Sequence, residues 1–156
     1  CRCGPRLTAG PTRLEAAARH GVPATGTPGC LDMVNFGAPE TVPAKFKGRR
    51  FYQHNPQVTL MRTTPEECKR LGEILAEKVN GSKAPVTVLI PLKGISVISA
   101  AGQPFYEAAA DAALFDALKR NLGRDIAVRE IDCNINDAPF AAACVEELLK
   151  NVAARR

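Results

Sequence analysis

The chain's 156 residues, 46% hydrophobic and 24% charged, are enough for one folded domain and exclude a disordered chain, a collagen-like fibre and a disulfide miniprotein. No apolar run nears the roughly 20 residues of a membrane helix, and with aromatics at 5% and no Trp there are few platforms for stacked nucleic-acid bases. The net charge of +5 sits in the first 63 residues, where nine Lys/Arg face three Asp/Glu; residues 64–156 hold twelve against thirteen.

Thr12–His20 reads as a short helix, with Leu14, Ala17 and Ala18 on one face and Gly21 as its stop. Val22–Thr25 is a short apolar strand followed by Gly26-Thr27-Pro28-Gly29. Residues 30–48 read as irregular because Gly37, Pro39 and Pro43 interrupt any period. Lys45, Lys47, Arg49 and Arg50 form a basic cluster with the composition of a solvated loop. Arg50–His54 is a strand ending at Asn55-Pro56. Thr64-Pro65-Glu66-Glu67 has the spacing of a capping box with Pro at the first helical position. The helix it opens runs to about Val79, with Cys68, Leu71, Ile74, Leu75 and Val79 as one stripe. Val86–Ile90 is a buried strand between prolines. Ala108–Leu122 is a helix with Leu114, Phe115, Leu118 and Leu122 aligned, and Ile126–Ile131 is a strand. The last helix begins near Ala138-Pro139, with Asp137 placed to cap it and Ala141, Cys144, Leu148 and Val152 on its apolar face.

Six cysteines at 1, 3, 30, 68, 133 and 144 include no CxxC pair, so a structural zinc site is not indicated. Their spread suits a reducing compartment, and with no signal peptide in view a cytoplasmic protein is expected. Cys1-Arg2-Cys3 reads as part of an atypical, flexible start over residues 1–8. The chain begins without Met, as a fragment or a processed product would. A single domain over 9–156 follows, with no internal repeat and no linker.

Helices alternating with short apolar strands call for an α/β fold with a mostly parallel sheet covered on both faces. Loops leaving the carboxyl ends of such strands share one edge, where ligands bind. Gly26, Thr27 and Gly29 follow the first strand; Lys93, Gly94 and Ser96 follow Val86–Ile90; Asp132, Asn134, Asn136 and Asp137 follow Ile126–Ile131. Glycines let an anion approach backbone N–H groups, Lys93 is a point cation, Ser96 a spare hydroxyl, and the two amides both donate and accept. Together they make the inventory of a nucleotide or phosphate pocket, without a GxGxxG or P-loop fingerprint. Asp132 and Asp137 could hold Mg²⁺ through water. His54, at a strand end, is a structural residue or a ligand contact or general base; His20 partners a helix dipole. No Ser–His–Asp or Cys–His arrangement is evident, and Ser96 and Ser99 lack the GxSxG turn.

Gly29–Pro39, Arg50–Glu67, Val86–Ser96 with Gly102–Phe105, and Asp132–Asp137 resemble, in order, the bacterial uncharacterised protein family that shares its ATP-binding domain with the tomato tobamovirus-resistance protein. The resemblance covers about residues 9–150; Cys1–Leu7 depart from it. It implies a Rossmann-like three-layer α/β/α sandwich that is the second of two halves, with ATP, and Mg²⁺ with it, bound in the cleft between the halves. It also implies a missing N-terminal half or a second chain to complete the site. In plants and fungi the same domain is fused to a barrel resembling phosphoenolpyruvate-utilising enzymes, which points to a small-molecule role in bacteria. Three functions follow as expectations: a nucleotide-binding module; an enzyme using His54 with Asp132 or Asp137; and a non-catalytic assembly subunit, a homo-oligomer whose exposed face is supplied by Leu31, Met33, Val34 and Phe36. Neither nucleic acid nor a membrane is an expected partner.

Overall fold

The computed structural model describes residues 10–155. The expectations placed on residues 1–8, Cys1 and Cys3 included, lie outside the described residues. No helix among those residues is long and apolar enough to cross a membrane.

The first helix, α1 (Glu15–His20), is shorter than its sequence pattern, because Leu14 takes a left-handed φ of 68° and stands 56% exposed before it. Gly21, left-handed at φ 59°, ends it as expected. Strand β1 (Ala24–Gly26) follows. The segment expected to be irregular instead contains β2 (Met33–Phe36) and two 3₁₀ turns, Pro39–Thr41 and Ala44–Phe46. Strands β3 (Phe51–Asn55) and β4 (Val58–Arg62) form a hairpin, with Asn55 Oδ1 accepting from the Gln57 N–H in its turn. Helix α2 (Pro65–Asn80) begins on the capping box. Thr64 Oγ1 accepts from the Glu67 N–H at 3.2 Å, and Glu67 Oε2 accepts from the Thr64 N–H at 2.8 Å. Strand β5 (Val86–Pro91), helix α3 (Ala108–Asn121), strand β6 (Ala127–Ile131) and helix α4 (Ala138–Ala154) complete the order.

Strands β1, β5 and β6 form a parallel sheet in the order β1-β5-β6. Side chains of β5 alternate between two apolar layers, as a strand covered on both faces requires. Val88 and Ile90 join α2 and α3 through Cys68, Leu75, Leu114 and Leu118, whereas Leu89 joins α4 through Phe140 and Ala143. The result is a three-layer α/β/α arrangement, an α/β fold of the Rossmann-like kind. Helices α2 and α3 are in such close contact at Gly72 that a Cβ there would lie 2.5 Å from the Leu114 carbonyl.

Beside this sandwich stands an antiparallel sheet, β2-β4-β3, that the sequence reading did not include. One face of it is closed by the chain itself. Phe36 is 2% exposed, with its ring 5.4 Å from that of Phe46, and Leu31, Met33 and Val34 are half-buried. The segment expected to supply an exposed assembly face is therefore largely internal.

Four large apolar side chains are exposed together on α4. Its sequence stripe suggests burial of Ala141, Cys144, Leu148 and Val152; the structure buries Phe140, Ala143 and Asn151, and of the stripe Cys144, half-buried, packs against that core while Ala141, Leu148 and Val152 are exposed. Asn151 sets this rotation by donating to the Ala24 carbonyl at 2.8 Å and bonding the Thr87 hydroxyl at 3.1 Å. Leu148, Val152, Val145 and Leu149 consequently face outward. Asp137 holds the N-cap position, yet its carboxylate accepts from the Asn134 N–H instead of capping.

Candidate functional site

The carboxyl ends of β1, β5 and β6 open onto one rim, and the loops leaving them are bonded to each other. Cys30 N–H donates to the Ile95 carbonyl at 2.9 Å, joining the first loop to the second. Lys93 N–H donates to the Cys133 carbonyl, and Ile135 N–H to the Gly94 carbonyl, each at 3.0 Å, joining the second to the third. Two glycines permit this closeness. A Cβ on Gly29 would lie 2.8 Å from Ile135 Cδ1, and one on Gly94, where φ is +133°, would lie 2.6 Å from Asn134 Nδ2.

Several side chains with the look of ligand groups are engaged in holding this rim together. Ser96 is buried; its hydroxyl donates to Asp32 Oδ2 at 2.7 Å and accepts from the Ser99 N–H at 3.1 Å. Asn134 Nδ2 donates to the Ser96 carbonyl at 3.0 Å, and its Oδ1 accepts from the Asn136 N–H, also at 3.0 Å. Lys93 projects from the rim and pairs at 2.9 Å with Asp132, both largely exposed.

The candidate residues are divided among concavities around the rim. Lys93, Gly94 and Asn134 line a cleft of about 610 Å³ that also includes Tyr106 and Asp111. Ser96 and Asn136 line another, of about 390 Å³, together with Cys30, Asn35 and His54. Gly26 and Thr27 face a groove beneath α1 and α2 instead. His54 thus shares a cleft with Asn136, whereas the carboxylates of Asp132 and Asp137 are held by Lys93 and the Asn134 N–H. Among the described residues no three His, Cys, Asp or Glu side chains gather as a metal site. The basic cluster is likewise dispersed. Arg49 is bound to Glu67 at 2.6 Å and to the Arg62 carbonyl at 2.8 Å, Arg50 pairs with Glu107 at 3.4 Å, and Lys45 lies over the Phe46 ring.

Behind the rim lies a buried charged group that the sequence reading missed. Arg62, whose side chain is 2% exposed, donates to the Phe105 carbonyl at 2.9 Å and to Asp111 Oδ1 at 2.6 Å. Asp32 is fully buried, and among the described residues its Oδ1 has no hydrogen-bond partner. Burial pushes the Asp32 carboxyl above its ordinary value, against the opposing pull of Ser96 and Arg62. Burial raises Asp111 too, against its bond to Arg62. A charge set within or ending an apolar run, as in Leu31-Asp32-Met33-Val34 and Val58–Arg62, is the sequence signal that could have found them.

The family model described as "Uncharacterised protein family (UPF0261) C-terminal domain" matches residues 2–152. Relatives include a UPF0261 protein of Clostridium tetani, 49% identical over 92% of this chain and 36% of its own length. A UPF0261 protein of Rhizobium meliloti is 47% identical over 89% of this chain and 35% of its own. The ToMV resistance protein Tm-1(GCR237) of Solanum lycopersicum is 38% identical over 89% of this chain and 19% of its own. The chain therefore spans about a third of the length of the bacterial relatives it matches.

Proposed function

Because the chain belongs to the UPF0261 family, matching its C-terminal domain, we propose that it is a nucleotide-binding module that takes ATP at the rim of its parallel sheet. The site is completed by the remainder of a longer polypeptide or by a second chain. The observation that carries this reading is the direct bonding of all three strand-end loops, which sets Lys93 and the Gly94 turn on a single edge. Polyphosphate would replace Asp132 as the partner of Lys93, an exchange within reach of an exposed ion pair. Mg²⁺ would arrive with the phosphates, and Asp132 is the exposed carboxylate beside Lys93 that could meet its water shell.

Thermal unfolding with and without Mg-ATP tests the reading. Ligand at a hundred times its Kd adds about 2.7 kcal/mol, a rise of roughly 5–10 °C in Tm for a domain of this size. Lys93→Ala should diminish the rise. No shift at millimolar ATP, in this chain and in a full-length relative alike, rejects it.

A second reading, an assembly subunit, draws on the outward face of α4, where Val145 is 58% and Leu149 64% exposed. Apolar side chains grouped on one helix face are what an interface requires.

A further inference from the structure

The cleft between the antiparallel sheet and the rim has a composition unlike the rest of the site. Met33, Asn35, Tyr52, Leu60 and Arg62 occupy paired positions on one side of the β2-β4-β3 sheet. Part of that side is filled: Arg62 reaches the Phe105 carbonyl and Asp111, and the Tyr52 ring stands edge-on to Phe105 at 6.3 Å. The rest is open. Met33, Asn35, His54 and Leu60 form one wall, facing Val97 and Asn136 across a space of about 390 Å³.

That volume is at the low end of small-molecule pockets, roughly 300–1,000 Å³, so it suits one ring system better than a whole nucleotide. Its lining is mainly apolar, as a flat ring requires. Among the described residues no Lys or Arg lines it, so it offers no cationic side chain to a phosphate. It does offer polar groups that the fold leaves available. The Asn35 amide and the His54 imidazole make no side-chain hydrogen bond among the described residues. The Asn136 amide has one, its Nδ2 donating to Asn134 Oδ1 at 3.2 Å, so its own Oδ1 is open. A carboxamide offers donor and acceptor side by side, the match for the edge of a nitrogen heterocycle. The cleft and the Lys93 cleft are both lined by residues of the same two loops, 94–99 and 134–136.

We infer that this cleft receives the base of the nucleotide, with Asn35, His54 and Asn136 reading its edge while the phosphates extend past Ser96 toward Lys93. The inference rests on the nucleotide reading above and specifies which end of the ligand lies where. Calorimetric titration of the 156-residue chain with Mg-ATP and with inorganic tripolyphosphate tests it. Wild type should bind ATP more tightly than tripolyphosphate. Asn35→Ala removes one of the base contacts and should weaken ATP about tenfold while leaving tripolyphosphate unchanged. Val97→Trp, at a position 63% exposed on the cleft's mouth, should fill the space and do the same without disturbing the core. Lys93→Ala should weaken both ligands. Unchanged ATP affinity in both Asn35→Ala and Val97→Trp would place the base elsewhere and overturn the inference while the nucleotide reading stood. Equal wild-type affinity for ATP and tripolyphosphate would also overturn it. Binding of neither ligand, by this chain and by a full-length relative alike, would remove the nucleotide reading and this inference together.

Discussion

Gly94→Ala puts the joined rim to a direct test. The residue is buried at φ +133°, in a region that is essentially glycine's own. Holding an alanine there costs about 1–3 kcal/mol. The new Cβ would also lie 2.6 Å from Asn134 Nδ2 and 3.2 Å from the Ala100 backbone. Asn134 must then move, and its bond to the Ser96 carbonyl, 3.0 Å long, is lost or lengthened. That adds about 1 kcal/mol, for a total of about 2–4 kcal/mol. With a urea m-value of roughly 2 kcal/mol/M, near the middle of the range for small proteins, the unfolding midpoint should fall by about 1–2 M. Gly26→Ala is the control, since a Cβ there meets nothing within 4 Å and φ is not positive. It should stay within about 0.5 kcal/mol of wild type. Adding Asn134→Ala to Gly94→Ala removes the atom that the new methyl strikes, so the double variant should be less destabilised than the sum of the singles. Additive losses, or a Gly94→Ala loss no larger than that of Gly26→Ala, would show that these loops do not meet as described.

The buried carboxyls set a pH dependence with a definite sign. Burial raises Asp32 and Asp111, so above the ordinary aspartate value of about 3.9 the folded chain holds protons that the unfolded chain has released, and stability falls as pH rises until the folded groups ionise. Glu67 and Glu146 act the other way. Arg49 and the Thr64 N–H overcome burial to lower Glu67, and Lys150 with Arg129 hold Glu146 down to about 2. Their contribution is complete above about 4.3 and is lost only in stronger acid. Asp32→Asn should therefore flatten the decline in urea midpoint above pH 4.5; a decline as steep as wild type would count against a buried, raised Asp32. On α4, Leu149→Lys should lower any self-association seen by sedimentation while leaving Tm nearly unchanged, because Leu149 is 64% exposed. A wild-type chain that stays monomeric at high concentration would count against α4 as a contact between copies.

The legible parts of this fold are those whose causes lie close together in sequence. Thr64 and Glu67 stand three residues apart and form their capping box from each other's backbone, so the start of α2 is fixed locally. The prolines at 85 and 91 frame β5 in the same way. Strand β2 is different: four residues between Asp32 and Gly37 become a strand because β4, some 25 residues later, pairs with them. The apolar stripe of α4 misleads because Asn151 finds its partners at Ala24 and Thr87, far back in the chain. At the site, parallel topology alone places the strand-end loops on one rim. Which of their polar groups remain available depends on neighbours that no spacing rule supplies. Ser96 and Asn134 have the composition of ligand residues and are occupied in bracing the rim; Asn35 and His54, in a segment and a strand read without function or with two, have no such duty.

Arg62 links these two halves of the problem. Burying a guanidinium between carboxyls adds little to stability, since an apolar side chain of similar volume does as well or better. Its contribution is one of direction. From the end of β4 it holds the Phe105 carbonyl at 2.9 Å and Asp111 at the start of α3, and its backbone carbonyl accepts from Arg49. An apolar replacement could fill the space but could not fix the antiparallel sheet against the loop that leaves β5. The angle between those two elements defines the cleft of Asn35 and His54, and a one-residue slip of β4 would turn Leu60 and Arg62 to the other face. The buried charge and the open cleft are thus two ends of one constraint: the rim is a flat edge until Arg62 fixes a wall beside it.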